Sequence, residues 1–440
     1  MNNSHLYDFN SAGGVDYPET EQYSFDIWHS APGLTDASEF KSIRFQMVQE
    51  NLLLHWRYAY LEIHGQLKQK TPPAAFVDTS RIALIFNAVP HLFSNAKLTI
   101  GTRVVENINQ VGHVSSMLYY LLYPRALAKN GGLQHMWVPD TDNTTAATNK
   151  GFEIRRKWVI TEPGTTKGKF KLRMPLSQIF GFAENFIALR GYPVEVELVR
   201  GQDFKALFRE STPTKEGVIQ ISNMVLNIPV VTPNNAVQLK LLQGLTHPKP
   251  YLYSFRCRNG LMAPVPKDAQ TYQLTVTTDS FTERPVMMIV GFQETNKEDQ
   301  TFNHALYSHQ NVQTMHVKVN NVQIPNKPIA SDFAENDNGF WYEYLLHMRA
   351  NYLQFPGIYT DNTFINPDNF KKLYPLFCFD LSKSHDLVSS RTVNTELHAT
   401  FKSGVADHVK VYVTWFFDRT LELFSDGKQI NIKTHNDSFH

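Results

Sequence analysis

Lys97-Leu-Thr-Ile-Gly-Thr-Arg-Val-Val-Glu-Asn107 reads as strand, tight turn, strand, and a counterpart stands in the second half at His316-Val-Lys-Val-Asn-Asn-Val-Gln-Ile324. In both, branched residues flank a Gly-Thr or Asn-Asn pair, the signature of a β-hairpin. The segments after each hairpin also repeat. Residues 113–123 form an apolar, aromatic helix candidate containing Tyr120-Leu-Leu122, and residues 339–352 form another containing Tyr344-Leu-Leu346. Leu172-Arg-Met-Pro-Leu-Ser-Gln-Ile-Phe180 is answered by Leu373-Tyr-Pro-Leu-Phe-Cys-Phe-Asp380. Pro193-Val-Glu-Val-Glu-Leu-Val-Arg200 is answered by His408-Val-Lys-Val-Tyr-Val-Thr-Trp415. A duplicated order of elements predicts two similar domains side by side.

Beyond these units, most of the chain reads as short strands. Residues 52–64 alternate, with Leu52, Leu54, Trp56, Tyr58 and Tyr60 on one face. Residues 80–94 suit a short helix and turn. Residues 152–160, 169–182, 193–200 and 218–231 read as strands or strand pairs, and 229–245 as the crossing between halves. In the second half, 251–262 and 273–278 are strands. Pro285-Val-Met-Met-Ile-Val-Gly-Phe292 is so continuously apolar that it predicts a strand buried on both faces. Residues 409–417 close the series, with the turn Ser425-Asp-Gly-Lys428 after them. Three polar stretches, 124–151, 295–313 and 357–370, read as long loops. Short strands separated by Pro, Asn and Gly point to an all-β fold of sandwiches or barrels rather than a parallel α/β sheet. About eight strands per half, with short helices and long inter-strand loops, suits two side-by-side jelly rolls.

Bulk properties narrow the function. The chain has 440 residues, 42% of them apolar, with 30 Phe and 19 Tyr, enough for two cores. Net charge is +1, so nothing draws the whole molecule to nucleic acid or anionic membrane. Residues 1–40 hold seven acids (Asp8, Asp16, Glu19, Glu21, Asp26, Asp36, Glu39) and no Lys or Arg, the wrong sign for an arm that binds packaged nucleic acid. Cys257 and Cys378 read as small core hydrophobes, and two cysteines cannot make a disulfide framework. Met1-Asn-Asn-Ser-His-Leu-Tyr-Asp8 lacks the basic and apolar regions of a signal peptide. No stretch reaches the ~18–20 apolar residues of a membrane-spanning helix, and even 82–93 is broken by Asn87, Pro90 and His91. The expectation is a soluble intracellular origin, in which the sequons at Asn2, Asn143 and Asn436 carry little weight.

Catalytic motifs are tested and set aside. Asp140-Thr-Asp-Asn-Thr144 resembles the Asp-x-Asp-x-Thr of aspartate-nucleophile phosphatases, but that chemistry needs its first Asp at the tip of a buried parallel strand. Trp137-Val-Pro139 precedes it here, and the expected structure is an Asx-rich surface turn. A jelly-roll metal site of the cupin kind needs His-x-His on a strand, which is absent. His55 and His64 stand nine apart, and the 17 histidines are scattered. His-Glu-x-x-His, Gly-x-Ser-x-Gly and a P-loop are absent too, and Thr166-Lys-Gly-Lys-Phe170 is only superficially like the last. Phe255-Arg-Cys-Arg258 and Arg155-Arg-Lys-Trp158 interleave cations with aromatics, as single-strand binders do, but a solvated strand face is the expected reading. Trp341, Tyr342, Tyr344, Leu345, Met348 and Tyr352 have helical spacing and are expected to pack in the core. No catalytic, cofactor or metal residues are assigned, and the chain is not expected to be an enzyme.

At Pro175-Leu-Ser-Gln-Ile-Phe-Gly-Phe182 the chain resembles the double jelly-roll major capsid proteins of Polinton-like and adintovirus-type DNA viruses, kin of virophage capsids and adenovirus hexon. Residues 97–117 resemble the family's hairpin leading into a short helix. Residues 333–352, Leu373-Tyr-Pro-Leu-Phe-Cys-Phe-Asp-Leu-Ser382 and Val409-Lys-Val-Tyr-Val-Thr-Trp-Phe-Phe-Asp-Arg-Thr-Leu-Glu422 are similar to its second jelly roll and closing strand. The motif residues that carry the likeness are Pro175, Leu176, Phe180, Gly181, Phe182, Pro375, Leu376, Trp415, Asp418 and Arg419. The resemblance spans residues 40–432. The acidic arm and residues 133–149 match nothing in the family.

The chain thus divides into an acidic arm over 1–40, read from its charge, and by the resemblance a first roll over 41–235, a second over 236–432 and a tail over 433–440. It implies a homotrimeric, pseudohexameric capsomer of an icosahedral capsid, with penton and minor capsid proteins as partners. Contact with packaged DNA would be weak and non-specific. The location would be the virion, assembled inside the host cell. The competing reading is a double β-sandwich that binds glycan or protein through its loops.

Overall fold

The computed structural model describes residues 39–47, 53–128, 132–142, 148–164, 166–184, 192–210, 214–231, 251–276, 284–294, 299–353, 363–382 and 393–424, and the strand backbones at 6–8, 28–32, 187–189 and 430–434. Of the crossing read at 229–245, residues 229–231 end the strand Gly217–Val231, and the rest, the turn at Ser425 and the three sequon asparagines lie outside the described residues.

Alternating burial builds the first roll. Lys169–Pro175 exposes Lys169, Lys171 and Arg173 and buries Phe170, Leu172 and Met174, so one face must be covered. Its sheet runs Trp28–Pro32, Gly217–Val231, Tyr60–Gln69, Lys169–Pro175, all antiparallel. The facing sheet runs Ser42–Met47, Val194–Arg200, Phe93–Ile100, Arg103–Asn109. The second roll repeats both. One sheet is Tyr251–Pro264, Val409–Leu423, Met287–Glu294, Phe377–Asp380. The other is Thr271–Val276, Thr395–Phe401, Val312–Val319, Val322–Ala330. Numbered within each half, the orders are first-eighth-third-sixth and second-seventh-fourth-fifth in both, the jelly-roll order. A helix comes after the fifth strand in each half, Val111–Leu122 and Gly339–Leu353. The run at Pro285 is the central strand Met287–Glu294, buried from Met287 to Gln293.

Four expectations are corrected. The strand Val194–Arg200 is the seventh of its roll, and its counterpart is Thr395–Phe401. Val409–Leu423 is an eighth strand, matched by Gly217–Val231. Both pairs alternate branched and polar residues, so pattern alone does not separate neighbours. The edge strand Trp28–Pro32 pairs with Val225–Pro229, inside the stretch read as an acidic arm. Residues 152–160 are not a strand: Lys150–Arg156 is a helix that runs into a π-helical turn, Lys157–Thr161. The buried positions there are Phe152, Arg155, Arg156, Val159 and Ile160, a helical spacing hidden because two of them are arginines. Of the polar loop read at 295–313, residues 299–311 are a loop but an inward one, with Ala305, Leu306 and Tyr307 buried along with Gln300, Asn303 and His304, and Val312 already opens a strand.

One continuous apolar core spans both rolls. Phe86 of the first half stacks on Tyr120 at 4.7 Å and meets Phe364 of the second half edge-on at 5.4 Å. Tyr120 meets Tyr374 at 5.2 Å. Cys257 and Cys378 are both buried, as expected of small core hydrophobes.

Candidate functional site: the seam between the rolls

Three buried polar clusters join the rolls. The first is built on Glu106, in the strand Arg103–Asn109. Its carboxylate accepts hydrogen bonds from the backbone N–H of Gly181 at 3.1 Å and of Phe182 at 2.9 Å. Burial raises its pKa to about 7, against the pull of Arg258 and the two N–H donors. Gly181 lies so close to the Arg256 carbonyl of the second roll that a Cβ there has no room. Phe182 meets Tyr253 at 5.4 Å and Phe255 at 5.7 Å, both edge-on. Beside it, buried Arg258 donates to the Ser177 carbonyl at 2.7 Å and to Glu184 at 2.9 Å. Glu184 also accepts from the hydroxyls of Tyr119 at 3.2 Å and Tyr352 at 2.7 Å, one from each roll's helix. Arg258 is therefore part of the weld, not of a solvated strand face.

The second cluster is aromatic and imidazole-rich. His113 stacks on Tyr412 with centroids 3.7 Å apart, and its Nδ1 lies 3.1 Å from the Tyr307 hydroxyl. His91 meets His113 edge-on at 5.0 Å and bonds Ser116 at 2.9 Å. Among the described residues, neither ring nitrogen of buried His304 has a hydrogen-bond partner. Burial holds all three imidazoles below their ordinary pKa, His91 at about 3, so they are neutral at pH 7. Around them, the Tyr120 hydroxyl donates to the Ala305 carbonyl at 3.1 Å, Thr414 to the Met117 sulfur at 3.4 Å, and the Asn109 N–H to Asn259 Oδ1 at 2.9 Å.

The third cluster corrects two readings of the sequence. Asp140 is buried, not on a surface turn. It pairs with Arg155 at 2.6 Å, with both side chains at 0% exposure. It also accepts from Asn149 at 2.7 Å and, across the seam, from Asn303 at 3.0 Å. Arg155 donates further to the carbonyls of Leu84 and Val138. With every oxygen of Asp140 bonded and no solvent at it, this is a structural ion pair, not a nucleophile. Arg155, expected on a solvated strand face, is instead buried on a helix.

The motif residues fall into three groups. Gly181 and Phe182 form the Glu106 junction, and Arg419 donates across the seam to the Val105 carbonyl. Leu176, Phe180, Pro375, Leu376 and Trp415 are buried core, and Pro175 is half-buried. Asp418 is exposed and pairs with Arg256 of the adjacent strand at 2.9 Å. Glu106, Glu184, His113, Asn303 and His304 escaped sequence reasoning. The one signal available was a charge at Glu106 inside Val-Val-Glu-Asn-Ile. Among the described residues, no three His, Cys, Asp or Glu side chains converge as metal ligands. No helix among them is long and apolar enough to cross a membrane.

Twin jelly rolls fused through a shared core and a polar seam define an all-β double jelly-roll protein. Residues 143–421 match the double jelly roll-like domain family, and the chain belongs to that family. No curated protein matches it in sequence. Among solved structures, the fold is similar to a chain of the Sputnik virophage, with a TM-score of 0.60 at 11% identity over 93% of this chain and 88% of that one. It is similar to the PBCV-1 virus capsid chain, with 0.57 at 8% identity over 92% and 96%. It is similar to the mavirus major capsid protein, with 0.53 at 13% identity over 97% and 93%. At these identities the likeness concerns the fold.

Proposed function

We propose that this chain is the major capsid protein of an icosahedral DNA virus or virus-like element, and that it works by assembly. The observation that carries the reading is the repeat of one strand order in two rolls held rigidly by a buried seam. Two equivalent wedges per chain let three chains surround an axis with near-sixfold geometry, and rotational closure limits the ring to three. The similarity to the mavirus major capsid protein over nearly the whole of both chains supports it.

On this reading the first roll occupies 41–235 together with the edge strand Trp28–Pro32, and the second occupies 236–432. Apart from the strand Leu6–Asp8, which pairs with Ile187–Leu189, the rest of 1–40 is an arm, and 433–440 is a tail. Pro175, Leu176, Phe180, Gly181, Phe182, Pro375, Leu376, Trp415, Asp418 and Arg419 act as structural residues that shape the wedge. The trimers meet one another, with penton and minor capsid proteins completing a shell. DNA contact is weak and non-specific, and the location is the virion, assembled inside the host cell. No catalytic step is needed.

Negative-stain imaging of concentrated protein tests this reading. Hexagonal plates or shells are expected. Dispersed single chains that bind a glycan array would favour the binding-module alternative.

A further inference from the structure

The seam inside the chain has a giving side and a receiving side. The first roll gives its strand Arg103–Asn109, with Val105, Glu106 and Ile108 buried, and the helix Val111–Leu122, buried at every residue but Leu122. The second roll receives them on the outer face of Tyr251–Pro264 and Val409–Leu423. There Tyr412 meets His113 and Thr414 meets Met117. Because both rolls share one strand order, each possesses both sides. One giving-receiving pair is used within the chain, which leaves a giving side on the second roll and a receiving side on the first.

Exposure tracks that division. In the first hairpin Glu106 pairs with Leu98, two residues before the strand end at Ile100. In the second, Ile324 pairs with Val317, two before Val319. Ile324 therefore takes the place of Glu106, yet it is only half-buried. Along Val322–Ala330 Ile329 alone is buried, and Val322 is 40% exposed. In the helix Gly339–Leu353, Trp341 and Leu345 serve the roll's own core, while Phe340 is 64% exposed. Tyr344 and Leu346 are half-exposed. The receiving strand differs in the same sense. Tyr412 and Thr414 are buried, whereas the outward positions Val218, Gln220, Val225 and Asn227 of Gly217–Val231 are half-buried or exposed. A large aromatic such as Phe340 left in water on a surface whose counterpart is covered marks a contact.

We propose that the strand Val322–Ala330 and helix Gly339–Leu353 seat on the outer face of Gly217–Val231 in a second copy of this chain, repeating the internal seam between chains. This rests on the capsomer reading and names its interface. The contact is heterologous, and with two rolls per chain it closes after three copies.

Sedimentation equilibrium on Val322→Glu/Phe340→Glu tests it, with Val77→Glu as control at a 59% exposed position on another loop. Circular dichroism checks that each variant stays folded. The unsubstituted chain and the control should be trimers, and the double variant a folded chain with trimer affinity at least about a hundredfold weaker. Undiminished affinity in the double variant overturns the assigned surface while leaving the capsomer reading intact. A monomeric unsubstituted chain overturns the capsomer reading itself. Radical footprinting of the unsubstituted trimer needs no variant. Phe340 should be protected from oxidation, and a rate in keeping with its 64% exposure in the single chain would overturn the surface.

Discussion

Asp140 shows how a residue's setting decides its role. Paired with Arg155 at full burial and shared with Asn149 and Asn303, it stabilises only as a member of its set. Asp140→Ala leaves a buried guanidinium without its counter-charge, and should lower stability by about 3–5 kcal/mol in urea denaturation. A loss under 1 kcal/mol would contradict the burial of the pair. The buried histidines predict a pH dependence. Their folded pKa values are lowered by burial, so below about pH 6.5 the unfolded chain takes up protons that the folded chain refuses. Their contribution is full above 6.5 and is lost as pH falls, at about 2 kcal/mol per histidine by pH 5. Lys205 and Lys410, the cations nearest the cluster, push in the same direction. Glu106 acts oppositely. Its raised pKa of about 7 contributes fully below 4.5 and is lost as pH rises through 7. Three imidazoles outweigh one carboxyl, so the denaturation midpoint should be lower at pH 5 than at pH 7.5. His304→Leu should narrow that gap, since neither ring nitrogen is bonded. An unchanged gap contradicts the assignment.

Among the elements, those legible in the sequence were those whose side chains obey one period. Both hairpins, both helices after the fifth strands and the buried strand Met287–Glu294 were readable from branched residues and turn pairs. The seam was not, because its parts are single polar residues scattered from Glu106 to Arg419, joined by the fold rather than by spacing. The helix Lys150–Arg156 was missed for a related reason: Arg155 and Arg156 occupy inward positions that the apolar pattern counts as outward. Its start is set by Asn149, whose side chain accepts from the Phe152 N–H at 3.1 Å and whose amide also holds Asp140. Asn149→Ala should therefore cost more than an ordinary cap, about 2 kcal/mol at the upper end of the capping range, in the denaturation midpoint. A loss of a few tenths would show that the cap acts alone or not at all.

At the scale of the molecule, the two rolls are one folding unit. Phe86, Tyr120, Phe364 and Tyr374 interlock across the halves, and the core has no break between them. Calorimetry should show a single unfolding transition, and two separated transitions would contradict the shared core. On the proposed reading a capsomer needs its rolls joined in this way, because flexing between them would spoil the near-sixfold step. The mass of the purified protein in solution at micromolar concentration tests the central claim most directly. The account predicts a trimer of about 150 kDa, three times the 50.5 kDa chain. A stable monomer at that concentration would contradict it.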